Sequence, residues 1–380
     1  MKLLTSLLVI WSFFIPTFSG LAQDSTSVFP FHLESNLLVF EGKMNGIPTW
    51  FAFDTGAGMG MANSLNKTQG KIKVKGKKLR LRDSNNQTLK VKTGLTEVLE
   101  IGQFQFQKVR SLLNDMEFLY CMDFYLLGQD VIKQLNWEID FENQQITVSK
   151  SPFPVHPDWK SFPIEYIGNR PFVDLYFEQE KRPKALVDFG YVSVMDFPDH
   201  LPEIQDFLQK KDSLGQSNPN LSTSMGALGR KTFATKTIWV ENLMLDSTAF
   251  PRVPVDFEEG SYPKVGLGFF KTLSRKTILN HSEMRYYLDL KSHPEFEGKT
   301  HIGVSYENGK LILNGKPDGL IPQDSQIDLG EEIKMLNGFS ADDFEDKCSF
   351  LKWYLTQIGR EIEIIKLDGT RLFFPKLPIG

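Results

Sequence analysis

Short apolar runs separated by polar turn residues make up most of the first 150 residues. Strands are predicted at 36–40 and 50–53, joined through Asn-Gly at 45–46, a dipeptide typical of two-residue hairpins. Further strands are predicted at 87–91 and 146–149, and no run of long amphipathic helices interrupts the series. The pattern therefore indicates a mainly β first half.

Prolines in the segment 151–157 interrupt regular structure, and the pattern of the first half then returns in a diverged form. Strands are predicted at 172–177, 184–187 and 235–245, whereas the polar stretch 210–224 is predicted to be a loop. The second half is therefore also expected to be mainly β.

Beyond residue 294 the pattern changes to strands around one helix. The segments 302–306 and 311–313 predict a hairpin, and Asp-Gly at 368–369 predicts another. Between them, Ser340 and Asp343 match the capping box of a helix start. The helix itself is predicted from apolar residues that recur every three or four positions, namely Phe344, Cys348, Leu351, Leu355 and Ile358, with Gly359 at its end.

The composition excludes several classes of function. The chain has 380 residues, a net charge of −4 and 12% aromatic residues, so it is large enough to bury two or three hydrophobic cores. This charge gives no reason to expect nucleic acid as a partner. The six histidines are scattered and form no metal-binding motif, so we expect neither a metal nor a cofactor.

The N-terminus has the pattern of an export signal. Lys2 precedes an apolar stretch at 3–18, and small residues end at Ala22, so residues 1–22 are predicted to be a signal peptide. No cysteine stands at the cleavage site, and no later stretch has the roughly 20 apolar residues of a membrane span. We therefore expect an exported bacterial protein, periplasmic or secreted, without a stable membrane anchor; an uncleaved N-terminal anchor is the alternative.

The two cysteines, Cys121 and Cys348, fall in different predicted modules. Cys348 also belongs to the apolar stripe of the C-terminal helix, where a cysteine behaves as a small buried hydrophobe. We therefore expect two separate thiols rather than a disulfide, even in an oxidising compartment.

The candidate chemistry lies in two similar segments. The apolar strand at 51–53 runs into Asp54-Thr55-Gly56-Ala57, and the apolar strand at 185–187 runs into Asp188-Phe189-Gly190. An acidic residue that ends a buried strand is held near the core, where its pKa can be shifted. Two such loops facing each other would place two carboxylates side by side, and such a pair shares one proton.

The first of these segments resembles the active-site loop of pepsin-like and retropepsin-like aspartic proteases. The resemblance continues downstream, where the segments 126–135 and 265–273 are similar to the hydrophobic-hydrophobic-Gly segment that packs beneath that loop. The spacing agrees with an internal duplication, because 74 residues separate Asp54 from Gly128 and 78 separate Asp188 from Gly266.

The resemblance implies two retropepsin-like β-barrel lobes at 28–150 and 158–290. It also implies an aspartic endopeptidase that acts on a polypeptide substrate through a water molecule activated by Asp54 and Asp188. The loops that support this dyad contain Thr55, Gly56, Ala57, Phe189 and Gly190. Both carboxylates come from one chain, so we expect a monomer.

Phe189 departs from the pattern of the family, which has Thr or Ser at this position. Those hydroxyl groups bond across the lobes, and Phe189 can supply no such bond. The candidate flap hairpin from Leu79 to Val91 contains no aromatic residue, which is closer to the retropepsin kind. The alternative to an enzyme is therefore a catalytically inactive protein of protease fold that binds peptides or serves as a scaffold.

The C-terminal segment 296–380 resembles a bacterial PDZ domain, most recognisably in Gly-Glu-Glu-Ile at 330–333 followed by Asn-Gly at 337–338. The resemblance implies that the loop Ile302-Gly303-Val304 receives the carboxylate of a chain terminus, and that the peptide adds as a strand beside the helix. The alternative is a module that merely packs on the preceding lobes.

Overall fold

The computed structural model describes residues 26–33, 36–260, 262–296, 302–317, 322–357 and 360–376. The predicted signal peptide and the predicted helix end at Gly359 lie outside the described residues. Strands form most of the regular structure, so the prediction of a mainly β fold is confirmed.

The first part of the chain, 26–149, is here called the N-terminal unit. Its strands and helices are β1 (Thr26–Pro30), β2 (Val39–Met44), β3 (Ile47–Phe53), β4 (Met61–Ala62), α1 (Ser64–Gln69), β5 (Lys73–Val74), β6 (Leu79–Arg82), β7 (Thr88–Ile101), β8 (Phe104–Leu113), α2 (Glu117–Met122), β9 (Phe124–Leu127), α3 (Gln129–Ile132), β10 (Asn136–Asp140) and β11 (Gln145–Ser149).

The hairpin predicted at 45–46 is confirmed, since Met44 of β2 pairs with Ile47 of β3. Asn45 and Gly46 have φ angles of 51° and 80°. A two-residue turn between twisted strands requires positive φ at both central positions, which Asn and Gly tolerate best. This turn sets the register of the strand that leads to Asp54.

The central unit spans 160–290. Its elements are β12 (Lys160–Pro163), β13 (Glu165–Ile167), β14 (Arg170–Phe177), β15 (Glu180–Asp188), β16 (Met195–Pro198), α4 (Pro202–Ser213), β17 (Ser217–Gly226), β18 (Gly229–Val240), β19 (Met244–Leu245), β20 (Thr248–Ala249), β21 (Val253–Glu258), β22 (Lys264–Gly266), α5 (Leu267–Leu273), β23 (Ser274–Asn280) and β24 (Arg285–Leu290).

Both units contain the same arrangement of strands. The order is β2-β3-β9-β4-β8-β7 in the N-terminal unit and β14-β15-β22-β16-β21-β18 in the central unit. The pairs β3/β9 and β15/β22 are parallel, the next pairs β9/β4 and β22/β16 are antiparallel, and β4/β8 and β16/β21 are again parallel. Corresponding residues of the two units can therefore be matched through their registers.

A six-stranded antiparallel sheet joins the two units. Its order is β1-β11-β10-β23-β24-β12, with β10 of the N-terminal unit beside β23 of the central unit. Trp137 of β10 is fully buried and packs against Phe53, with ring centroids 4.8 Å apart. The sheet thus supports the end of β3, where Asp54 follows.

The C-terminal unit, 302–376, has its own hydrophobic core around residues such as Leu311, Leu336 and Ile364. Its elements are β25 (Gly303–Glu307), β26 (Lys310–Pro317), β27 (Glu332–Leu336), α6 (Lys347–Leu355), β28 (Ile362–Lys366) and β29 (Arg371–Phe374). The predicted hairpin of β25 and β26 is confirmed. Strand β26 also pairs with β17, which connects this unit to the central unit.

Two expectations about local structure are wrong. Most of the predicted loop at 210–224 belongs to α4 and β17, and only 214–216 lie between them. Helix α4 begins with Pro202 at its first turn and buries Ile204, Phe207 and Leu208 on one face. The capping box at Ser340 caps a short 3-10 turn at Ala341–Asp343, and α6 begins later, at the N-cap residue Asp346. None of the helices in the described ranges is long and apolar enough to cross a bilayer.

The prediction of two separate thiols is also wrong, because Cys121 and Cys348 form a disulfide with their Cα atoms 4.9 Å apart. Cys121 lies in α2 and Cys348 in α6, and these two helices pack against each other. Local sequence patterns predict modules but not which of their surfaces meet. The disulfide therefore attaches the C-terminal unit to the N-terminal unit covalently.

We expect the double variant Cys121→Ser/Cys348→Ser to lose about 2 to 5 kcal/mol of unfolding free energy, because the crosslink closes a long loop of 227 residues. Urea denaturation with and without reductant measures this loss. The reductant should lower the stability of the wild type and leave the double variant unchanged. Equal stability of the oxidised wild type and the variant would contradict the prediction.

Candidate functional site

Asp54 and Asp188 occupy corresponding places at the ends of strands β3 and β15. Each of these strands runs parallel to a strand that ends in glycine, Gly128 beside β3 and Gly266 beside β15. Both glycines are N-cap residues with nearly the same backbone angles, φ −96° and ψ 174° for Gly128 and φ −92° and ψ 175° for Gly266. The segments that the sequence paired by their spacing thus occupy equivalent positions.

The structure brings the two carboxyl groups into direct contact, since the side chains of Asp54 and Asp188 hydrogen bond to each other. The backbone holds them in a mirrored way. The N–H of Ala57 donates to Asp54 Oδ1 at 2.9 Å, and the N–H of Gly190 donates to Asp188 Oδ1 at 2.9 Å. These donors fix the orientation of both carboxyl groups toward each other.

Gly56 and Gly190 are needed for this contact. A methyl group on Gly56 would lie 2.3 Å from Cγ of Asp188, and one on Gly190 would lie 2.5 Å from Cγ of Asp54. Both distances are far below van der Waals contact, so each loop can approach the other carboxyl group only where it has no side chain. Each glycine of the two motifs therefore serves the aspartate of the opposite unit.

The electrostatics of the two carboxyl groups differ. Burial raises the pKa of Asp54 well above its ordinary value, and the neighbouring charge of Asp188 raises it further. Burial also raises the pKa of Asp188, but the cation of Lys264 and the hydrogen bond from Asp54 act against this rise. The cation of Lys264 therefore favours the charged form of Asp188, which makes the two carboxyl groups electrostatically unequal.

Thr55 connects the two loops through its buried hydroxyl group. Its Oγ1 donates to the carbonyl oxygen of Val187 at 2.7 Å and accepts from the N–H of Phe189 at 3.0 Å. The side chain is fully buried. One side chain from the N-terminal unit thus binds the backbone on both sides of Asp188.

Phe189 does not fill the space between the carboxyl groups. Its ring is fully buried and stacks on Phe270 at a centroid distance of 4.6 Å. It also meets the ring of Phe53 edge to face at 5.7 Å. Phe53 belongs to the opposite unit, so Phe189 holds the two units together by aromatic packing where a hydroxyl group would do so by hydrogen bonding.

Two hairpins, one from each of the first two units, meet at their tips. The N–H of Leu228, at the tip of the β17/β18 hairpin, donates to Asp83 Oδ2 at the tip of the β6/β7 hairpin, at 3.1 Å. Asn85 Nδ2 donates to the carbonyl oxygen of Gly229 at 3.3 Å. These contacts join a hairpin of the N-terminal unit to a hairpin of the central unit.

The hairpin tips and the loop of Asp54 pack against the same part of the N-terminal unit. Ala57, Leu81 of the first hairpin and Ala227 of the second pack against one apolar cluster of the N-terminal unit. Asn114 Nδ2 also donates to the carbonyl oxygen of Ala227 at 2.7 Å. The two hairpins therefore cover the same side of the N-terminal unit as the loop that carries Asp54.

Sequence reasoning missed Lys264 and Asp196, which form a buried ion pair near Asp188. A signal was present, because a lysine stands in the apolar segment before Gly266, where the first copy has Leu126 before Gly128. A charged residue inside such a strand is rare unless it has a partner.

The loop predicted to bind a carboxylate is occupied by a side chain of the same unit. The hydroxyl group of Tyr354 donates to the carbonyl oxygen of Ile302 at 3.0 Å and accepts from the N–H of Val304 at 3.3 Å. Gly303 packs against Asn314, whose Oδ1 would lie 2.4 Å from a methyl group on this glycine. A bound carboxylate would have to replace the Tyr354 contact to reach the N–H of Val304.

Among the residues that the structure describes, no three His, Cys, Asp or Glu side chains are arranged to hold a metal ion. The arrangement at Asp54 and Asp188 instead combines a proton donor and a proton acceptor within one hydrogen bond. Such a pair can bind and polarise a water molecule without a metal.

The comparisons with known proteins give no family. No protein-family model matches the chain, and no curated protein matches it in sequence. The functional assignment therefore depends on the geometry of the site.

Proposed function

We propose that this protein is an exported aspartic endopeptidase with Asp54 and Asp188 as its catalytic dyad. The observation that carries the proposal is the hydrogen-bonded pair of carboxyl groups, held by mirrored backbone donors from two equivalent strand ends. An isolated structural aspartate has no need of a second carboxylate, because two like charges at this distance oppose each other. A shared proton removes that cost and provides an acid and a base together.

The strand arrangement supports the finer interpretation of the fold. In it, the N-terminal and central units are the two lobes of a pepsin-like or retropepsin-like protease, and the six-stranded sheet is the joint between them. The C-terminal unit is a PDZ-like domain that recognises a substrate or partner, with the terminal carboxylate of a peptide at Ile302, Gly303 and Val304 as the expected ligand.

The mechanism uses the two protonation states of the dyad. Asp188 takes a proton from the bound water as its oxygen bonds to the peptide carbonyl carbon, and Asp54 donates its proton to the carbonyl oxygen. The resulting diol collapses when the nitrogen receives the proton held by Asp188 and the C–N bond breaks. One diol hydroxyl returns its proton to Asp54, which restores the starting state.

The two hairpins act as flaps in this proposal. A polypeptide enters when the contacts of Asp83 and Asn85 with the second hairpin open. Closing over the substrate would then hold the peptide bond against the dyad.

A second candidate function is peptide binding without cleavage. Its supporting observation is that β17 of the second hairpin pairs with β26 of the C-terminal unit, through Asn220 with Pro317 and Leu221 with Lys316. A flap that is tied in this way opens less readily. Failure of a folded wild type to cleave any unfolded protein, together with peptide binding in the same cleft, would favour this second function.

Asp54→Asn and Asp188→Asn are each expected to lower the cleavage of an unfolded protein by about 100-fold or more, since each removes one proton-transfer group. A statine-type inhibitor should block the wild type. Asp206→Asn, at an exposed position of α4, serves as the matched control and should retain full activity. Cleavage that persists in either dyad variant would refute the assignment.

Thr55→Val is expected to lower the unfolding free energy by about 1 to 3 kcal/mol, because it removes two buried hydrogen bonds between the loops. Activity should fall as well, whereas Thr55→Ser keeps both properties close to wild type. The control is Thr96→Val, since the buried hydroxyl of Thr96 has no hydrogen-bond partner among the described residues. Chemical denaturation measures the unfolding free energy of each variant. Equal losses of unfolding free energy in Thr55→Val and Thr96→Val would contradict the prediction.

The profile of kcat/KM against pH is expected to be bell-shaped. On the acid side Asp188 becomes protonated, and on the alkaline side Asp54 loses the proton that its raised pKa retains. The pH midpoint of the alkaline limb should therefore lie well above the ordinary pKa of aspartate. A profile without two limbs would contradict a dyad that works with one proton.

The same pKa shifts affect stability, which can be measured without a substrate. A raised folded-state pKa contributes stability that is fully present below the unfolded value, about 3.9 for aspartate, and is lost as the pH rises through the folded value. As the pH rises from the unfolded pKa of aspartate through the folded pKa of Asp54, the unfolding free energy of the wild type should fall. The unfolding free energy of Asp54→Asn should fall less over the same pH interval.

A further inference from the structure

A row of polar residues crosses the central unit beside Asp188. Through the registers of neighbouring strands, Lys264 of β22 pairs with Asp196 of β16, Asp196 with Asp256 of β21, and Asp256 with Thr237 of β18. Directly paired residues point to the same face of a sheet. The side chains are joined accordingly, by the ion pair of Lys264 with Asp196 and by the hydrogen bond from Thr237 to Asp256 at 2.7 Å.

The corresponding row of the N-terminal unit is apolar where this one is charged. Leu126 of β9 pairs with Met61 of β4, Met61 with Leu112 of β8, and Leu112 with Thr93 of β7. Leu126, Met61 and Leu112 thus stand where the central unit has Lys264, Asp196 and Asp256. The two rows share a backbone arrangement and end in a threonine, so the charges are a property of the central unit alone.

The row begins next to the dyad. Lys264 pairs with Leu186 and Gly266 pairs with Asp188 in parallel register. Lys264 is therefore two residues before Gly266, the strand partner of Asp188, which is roughly 7 Å along the strand. Residues two apart in a strand lie on the same face of the sheet, so Lys264 lies on the face of Asp188. Its ammonium nitrogen lies 4.6 Å from the ring centre of Tyr191, a residue whose backbone N–H hydrogen bonds to Asp188.

The titratable groups around Lys264 come from three strands and one loop, and Asp188 of β15 is one of them. Asp196 is its ion-pair partner, and Asp256 and Glu258 lie on the next strand. Burial and the charge of Asp196 raise the pKa of Glu258 to about 9, so Glu258 is neutral at pH 7. The hydroxyl group of Tyr191 is also neutral there, because burial raises its pKa.

Stability alone is a weak explanation for this buried ion pair. Lys264 and Asp196 are 5% and 1% exposed, and burying two charges costs free energy that their attraction only partly offsets. Apolar residues fill the same positions in the N-terminal unit and are often neutral or stabilising replacements for a buried ion pair. A charge kept at such a cost beside a carboxyl pair points to a role in the dyad.

We propose that Lys264, held by Asp196, is a positioning residue that keeps the negative charge of the dyad on Asp188 and the proton on Asp54. The inference rests on the proposed function and extends it. A symmetric pair would distribute its proton between two equivalent microstates, of which only one suits a given direction of attack. The cation of the central unit selects Asp188 as the base and Asp54 as the acid.

The test compares three variants. Lys264→Leu/Asp196→Met gives the first two positions of the central row the residues of the N-terminal row and removes both members of the ion pair. Lys264→Arg retains the cation, and Leu126→Met is the matched control in the other unit. Thermal unfolding verifies that each variant is folded.

The double variant should move the acid limb of kcat/KM to higher pH by about one unit, because Asp188 loses the cation that favours its charged form. Lys264→Arg and Leu126→Met should leave that limb in place. A folded double variant with an unchanged acid limb would overturn the proposal.

A second readout does not depend on activity. Titration of ¹³Cγ-labelled aspartates by NMR, assigned with Asp54→Asn and Asp188→Asn, should show Asp188 ionising at lower pH than Asp54 in the wild type. In the double variant the two titrations should move closer together. If the wild type cleaves nothing but Asp188 still ionises at lower pH than Asp54, the proposed function fails and the role of Lys264 stands. If Asp54 ionises at lower pH than Asp188, the role of Lys264 is overturned.

Discussion

The contact between two carboxyl groups is the constraint on which the rest of the structure depends. Two aspartates can touch only if their loops carry no side chain at the point of approach, which Gly56 and Gly190 provide. They must also be fixed by donors, which the loop backbones supply, and the units must not separate. The buried hydroxyl of Thr55, the ring of Phe189 and the six-stranded sheet meet this last requirement.

The two units use one arrangement of strands with different interiors. Phe189 packs where a hydroxyl group would bond, and the charged row of Lys264 and Asp196 replaces an apolar row. Phe189 is next to Asp188 in the chain, and Lys264 lies on the strand that pairs with the strand of Asp188. Both special features therefore belong to the surroundings of Asp188. The two units share one strand arrangement, and these differences make the two carboxyl groups chemically unequal.

The C-terminal unit is attached to both other units by different means. A disulfide joins its helix to α2, and its strand β26 extends the hairpin of the central unit. Arg230 of that hairpin also binds Glu117 of α2 at 2.6 Å. The hairpin of the central unit therefore contacts both the C-terminal unit and the N-terminal unit.

Local pattern was sufficient for the features that depend on adjacent residues: the Asn45-Gly46 turn, the strands that end in Asp54 and Asp188, and the repeated spacing to Gly128 and Gly266. These depend on backbone preference and on the periodicity of apolar residues. The disulfide, the packing of Phe189 and the charged row beside Asp188 depend on contacts between residues far apart in the chain. Their energies arise when distant surfaces meet. The local pattern contained only one trace of them, a lysine in an apolar strand, and the place of that lysine beside the strand of Asp188 was visible only in the folded structure.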